Sequence, residues 1–225
     1  MSESSSEKGP YDIQEHGAGA PPELWGEIAV RDSADDLLDF LSAKLLIEAQ
    51  SRIRAHDAFH LAIAWTDTVA RFMERMMYDP AIRQFPWART HCWLLNDTRT
   101  DDCYIRLRDI LVPHSGIDEA NMHGADARED GPVFDYAMLD VGPDGRAGAM
   151  GDEVRDSEVL VPLDRINRTG FVALLAMGSD VQATLQSLEK ASGVLPVQSV
   201  RSDSGTTRWY LSPTTPDDEA EPFKD

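Results

Sequence analysis

Four short apolar runs most constrain this fold: Phe59–Ala64 (FHLAIA), Cys92–Leu95 (CWLL), Phe134–Val141 (FDYAMLDV) and Phe171–Met177 (FVALLAM). Each has the length of a buried strand, and the segments between them carry apolar residues at helical spacing. Leu37, Leu38, Leu41, Leu45 and Leu46 follow a cap at Asp32 or Ser33, with Asp36 set to complete a capping box. Val69, Phe72, Met73 and Met76 follow a cap at Thr66 or Asp67 and stop near Pro80. The spacing also predicts a helix from Tyr104 to Leu111 ended by Pro113, and another from about Ser179 to Ala191. Further strands are expected at Val159–Val161 and around Arg208–Leu211. Strands alternating with helices argue for a mostly parallel sheet covered by helices.

The 225 residues suffice for one domain with a sizeable core. The expected limits are a flexible lead over 1–22, one domain over 23–212 and an acidic tail over 213–225. No apolar run reaches the roughly 18 residues of a membrane span, and the polar lead lacks the apolar stretch of a secretory signal, so a cytoplasmic protein is expected. Asp and Glu number 40 against 21 Lys and Arg, a formal net charge of −19. That field repels nucleic acid and anionic membranes, so neither is an expected partner. The lysines are Lys8, Lys44, Lys190 and Lys224 alone; a solvated acidic surface explains this balance better than a salty habitat or a basic partner. Cys92 and Cys103 have no second pair with which to build a metal site, and no metal or cofactor is expected.

The order of several motifs adds a resemblance. Phe85-Pro86-Trp87 precedes the second strand, Asp97 and Arg99 follow it, and Asn121 stands two residues before His123. A strand then runs into Gly142-Pro143-Asp144-Gly145, followed by Leu160–Asn167 (LVPLDRIN) and an aromatic terminal strand with Trp209. From about Trp25 to Leu211 this series resembles the 6-phosphogluconolactonases and the related glucosamine-6-phosphate isomerases (deaminases). The resemblance implies a three-layer α/β/α fold of that type, sugar-phosphate chemistry on the pentose phosphate route, and site residues in the loops after the strands.

Two departures bear on function. The family's glycine-rich phosphate loop is replaced by Ala64-Trp65-Thr66-Asp67-Thr68-Val69, which keeps a helix cap but puts a carboxylate where an anion would sit. The family's histidine after the GPDG turn is Arg146 here, and a guanidinium cannot take a proton from water. The candidate catalytic residues are therefore Asp97, as a substitute base or a capping aspartate, Asp144, whose plainer role is to shape the turn, and His123. The candidate ligand-binding residues are Thr66, Asp67, Thr68, Arg99, Gly142, Gly145 and Arg146, the last being a turn arginine in the plainer reading. Trp65 either stacks on a sugar face or fills space, the latter preferred, and His60 reads as structural. Three functions are in view. The preferred one is a relative with lost or reduced hydrolysis that binds a sugar phosphate, another small anion or a partner enzyme of the pathway. The others are an active lactonase using substitute residues and, without a positive motif, an enzyme such as an isomerase.

Overall fold

The computed structural model describes residues 24–97, 99–125, 131–142, 145–148, 161–178, 181, 185, 186, 188 and 195–216. The lead over 1–22, residues 217–225 of the tail, Asp144 and most of the two stretches 149–160 and 179–194 lie outside the described residues.

The apolar runs become strands. β1 (Glu27–Val30) and β2 (Phe59–Ile63) flank α1 (Ala34–His56). α2 (Asp67–Tyr78), β3 (Thr90–Leu94), α3 (Asp102–Ser115) and β4 (Met122–His123) follow. β5 (Tyr136–Asp140), α4 (Leu163–Asn167), β6 (Phe171–Met177) and β7 (Thr206–Ser212) complete the chain. All seven strands pair in parallel in the order β1-β7-β6-β5-β2-β3-β4. Central strands in such a sheet are covered on both faces, which is why FHLAIA and FVALLAM read as unbroken apolar runs rather than alternating ones.

Period-two alternation sorts the side chains into two cores. Leu61, Ile63, Cys92, Leu94, Tyr136 and Met138 face α1, α2 and α3, where they meet Leu41, Leu45, Phe72 and Leu107. Ala62, Ala64, Trp93, Ala137, Leu139, Val172 and Leu174 face the opposite layer, which includes Ile166 of α4 and Val181, Leu185 and Leu188. Of the 179–191 stretch, residues 181, 185, 186 and 188 are described, and all are helical. The architecture is thus the expected three-layer α/β/α sandwich, with every pair of the sheet parallel.

Local signals act as read at most ends. Ser33 caps α1 by accepting from the Asp36 amide at 3.0 Å, and Thr66 caps α2 by accepting from the Val69 amide at 3.3 Å. One reading is corrected: α3 does not stop at Pro113 but runs through it to Ser115 and ends at Gly116 in the left-handed conformation (φ 79°). A proline in the last turn is tolerated there because the glycine C-cap, not the proline, sets the stop. Val161 lies in a bend rather than a strand, and the rest of Val159–Val161 is outside the described residues. β1 and β4 were not expected; four and two residues long, they are held at the sheet edges by β7 and β3. Among the described residues, no helix is long and apolar enough to cross a membrane.

Leu41 is fully buried on α1, whereas Ile47 on the same helix is 55% exposed. Leu41→Ala is expected to lower unfolding free energy by about 2–5 kcal/mol and Ile47→Ala by no more than roughly 0.5 kcal/mol, read from urea midpoints.

Candidate functional site

β3 and β4 are laid down on one side of β2, whereas β6 and β7 are laid down on the far side of β5. Chain direction therefore reverses between β2 and β5, and the loops after these strands diverge. A crevice outside the carboxyl ends at such a switch point is where open α/β sheets bind ligands. After β2 come Thr66, the cap of α2, and Asp67 and Thr68 in its first turn, and the loop after β5 carries Gly142, Gly145 and Arg146.

The second loop folds back on the first. Val141 bridges to Ala147, the Gly142 amide donates to the Arg146 carbonyl at 2.9 Å, and the Gly145 amide to the Gly142 carbonyl at 3.0 Å. Gly148, at φ 63°, presses so close to β2 that a Cβ there would stand 2.6 Å from the Ala64 Cβ. Gly145, at φ 74°, lies over Leu195, and its carbonyl accepts from the Val197 amide at 3.0 Å. Arg146 is half-buried in this turn, and Asp144 lies outside the described residues.

Asp140, the last residue of β5, was not singled out from the sequence. Its side chain is half-buried, on the face of β5 that Tyr136 and Met138 share. Burial raises its proton affinity above the usual carboxylate value, opposed by the hydroxyls of Thr68 and Thr66. A lone carboxylate closing the apolar run FDYAMLDV was the available signal. Trp65 is 9% exposed and belongs to the core cluster with Val69 and Phe72, so the space-filling reading holds. Its backbone is clamped by Asn96, whose side-chain oxygen accepts from the Trp65 amide at 2.8 Å and whose side-chain nitrogen donates to the Trp65 carbonyl at 3.0 Å.

A second group gathers at the ends of β3 and β4. Asp97 accepts from the Cys103 amide at 3.0 Å, as a capping aspartate does, and burial raises its proton affinity. Exposed Arg99 donates to the Met122 carbonyl at 2.9 Å, which pins it beside His123. The half-buried His123 ring stacks on Trp93 at 3.9 Å, and its Nε2 lies 3.1 Å from Nδ1 of His91. His60 stacks on His91 at 4.8 Å, and its Nδ1 accepts from the Trp93 indole at 3.2 Å. This imidazole row follows from the register His60↔His91 and Trp93↔His123, which no single run discloses. Burial, then His91, Arg99 and His60, push the His123 pKa down to about 4, so the ring is a weak proton acceptor at neutral pH. The site residues thus stand at two places: Thr66, Asp67 and Thr68 after β2 with Gly142, Gly145 and Arg146 after β5, and Asp97, Arg99 and His123 beside β3 and β4. Among the described residues, no three or more His, Cys, Asp or Glu side chains are arranged to hold a metal ion.

This chain has the fold of the 6-phosphogluconolactonases. The Thermotoga maritima 6-phosphogluconolactonase superposes with a TM-score of 0.68 at 20% identity, over 83% of this chain and 99% of that one. The Trypanosoma brucei enzyme superposes with a TM-score of 0.66 at 13% identity, over 87% and 99%. A monomeric glucosamine-6-phosphate deaminase of the NagB superfamily gives 0.61 at 11%, over 83% and 97%. No family model matches the sequence, and no curated protein matches it significantly. The resemblance read from the ordered motifs therefore holds at the level of fold.

The imidazole row has a pH consequence. His60, His91 and His123 all hold protons less tightly when folded than the ordinary 6.5. Their contribution to stability is present above pH 6.5 and is lost as pH falls from there toward about 4. Asp97 and Asp140 act with the opposite sign near the bottom of that window, so the comparison belongs at its upper end. The urea midpoint should fall between pH 7.5 and 5.5, and fall less steeply in His123→Gln.

Proposed function

We propose that this chain is a divergent 6-phosphogluconolactonase-like protein of sugar-phosphate metabolism, on the pentose phosphate route. In this reading lactone hydrolysis is lost or much reduced, and the crevice between β2 and β5 binds a small anionic sugar ligand. The observation that carries the reading is the turn after β5, which retains its packing against β2 yet offers Arg146 where a proton acceptor would be needed. A guanidinium holds its proton at every working pH, so it can neutralise an anion but cannot activate water. Arg99 supplies a second cation at the β3–β4 side of the crevice, oriented by its bond to the Met122 carbonyl. Phosphate recognition by such arginines requires no general base.

A second reading, an active lactonase with substitute groups, draws on the raised proton affinities of Asp97 and Asp140. It is less favoured, because the Asp97 carboxylate is already engaged by the Cys103 amide, as a capping group is.

The test is hydrolysis of freshly generated 6-phosphogluconolactone, with titration calorimetry of glucose 6-phosphate. Wild-type protein should not accelerate ring opening above its spontaneous rate. Arg146→His should restore some acceleration, bounded by the roughly 10²–10⁴-fold that a positioned base contributes. Glucose 6-phosphate should bind, and Arg99→Ala or Arg146→Ala should weaken it tenfold or more, since a charged hydrogen bond contributes roughly 1.5–3 kcal/mol. Acceleration by wild-type protein that Arg99→Ala abolishes would overturn the reading.

A further inference from the structure

Four rings on one face of the sheet close into a cycle. The indole of Trp93 donates to Nδ1 of His60 at 3.2 Å, and His60 stacks on His91 with centroids 4.8 Å apart. Nδ1 of His91 lies 3.1 Å from Nε2 of His123, whose ring stacks back on Trp93 at 3.9 Å. Chemistry settles where the hydrogens are. An indole nitrogen only donates, so Nδ1 of His60 is bare and its hydrogen is on Nε2. At 3.1 Å one nitrogen of the His91–His123 pair carries a hydrogen and the other accepts it. A proton added to His60 goes to Nδ1, where it meets the indole N–H and ends that bond. A proton added to the donor ring of the pair goes to its far nitrogen and strengthens the bond, because a charged donor binds more tightly. A proton added to the acceptor ring removes the lone pair that holds the two together. The row therefore has room for one added proton, and a second finds only bond-breaking positions.

The cycle fastens an edge of the sheet. β4 is two residues long, and its ladder to β3 consists of Cys92↔Met122 and Trp93↔His123. The carbonyl just before His123, that of Met122, accepts from Arg99 at 2.9 Å and from the Tyr104 hydroxyl at 3.2 Å. All three imidazoles are half-buried, so protons reach them from solvent. The charges that face them are Arg99 beside His123, the buried Arg165 guanidinium 5.3 Å from the Trp93 ring centroid, and Asp135. Asp135 accepts from the His60 amide at 2.8 Å and lies 3.9 Å from Arg52. We propose that the four rings form a proton-operated latch on β4: it stays closed with one added proton, held by the His91–His123 pair, and opens on the second, which releases β4 and the carbonyl that orients Arg99. Burial keeps the proton affinity of all three rings below the ordinary 6.5, so the latch is closed at neutral pH and opens as pH falls below that value. The switch stands whether or not the crevice takes a sugar phosphate.

Amide hydrogen exchange of wild-type protein, followed by NMR from pH 7.5 to 5 and corrected for the pH dependence of the exchange chemistry, tests the latch. Local opening exposes the amides of one segment, whereas global unfolding exposes all alike. The Ala125 amide, bonded to the Asp97 carbonyl at 2.7 Å just past β4, reports on the edge. The Ala64 amide, bonded to the Met138 carbonyl at 3.1 Å, reports on the central pairing. Ala125 should lose protection about tenfold or more between pH 6.5 and 5, since each proton taken up contributes up to about tenfold per pH unit, while Ala64 keeps its protection. The Trp93 indole N–H resonance should move over the same range as its acceptor is lost. Combining His60→Gln with His123→Gln leaves side chains that still accept but do not titrate, and should flatten both responses, with a thermal melt at pH 7.5 showing that the variant is folded. Full protection of Ala125 at pH 5, or a loss shared equally by Ala64, would overturn the latch in wild-type protein alone. A folded double variant that responds as wild type does would overturn it too.

Discussion

β2 and β5 lie side by side, Leu61 against Tyr136 and Ile63 against Met138, although β3, α3 and β4 come between them in the chain. The two cores and the crevice depend on this one long-range pairing. It places two largely apolar strands at the centre of a parallel sheet, where a helical layer on each face keeps water from them. It also sends the chain away from β2 in one direction and from β5 in the other, which opens the loops at their ends.

What was legible in the sequence follows from where the information sits. A buried central strand advertises itself as a continuous apolar run, so β2, β3, β5 and β6 stood out. The caps at Ser33 and Thr66 are local bonds across three residues, and they too could be read along the chain. β1 and β4 could not, because strands of four and two residues are fixed by their neighbours' ladders rather than by their own pattern. Pro113 misled because its effect depends on distance from a helix end that Gly116 sets. The imidazole row needs register and strand order, and neither is encoded in any window of the sequence.

The site divides in the same way. Asp97 bonds to the amide of Cys103, six residues away, and a capping role was visible beforehand. Arg99 reaches the Met122 carbonyl on β4, so only the fold shows that its guanidinium is oriented and stands beside His123. His123 matched a motif in isolation, but its neighbours His91 and Trp93 hold it as a neutral packed ring. Motif identity thus located the residue, and environment decided its proton affinity.

The turn after β2 shows how a ligand loop and a stable helix start compete for the same residues. A glycine-rich turn leaves backbone amides bare for an anion and costs conformational entropy on folding. Here a threonine cap contributes about 1 kcal/mol, Trp65 is buried in the core, and Asn96 ties down both its amide and its carbonyl. Cap, buried ring and clamp each fix the turn in one conformation, so the start of α2 draws its stability from the chain's own groups.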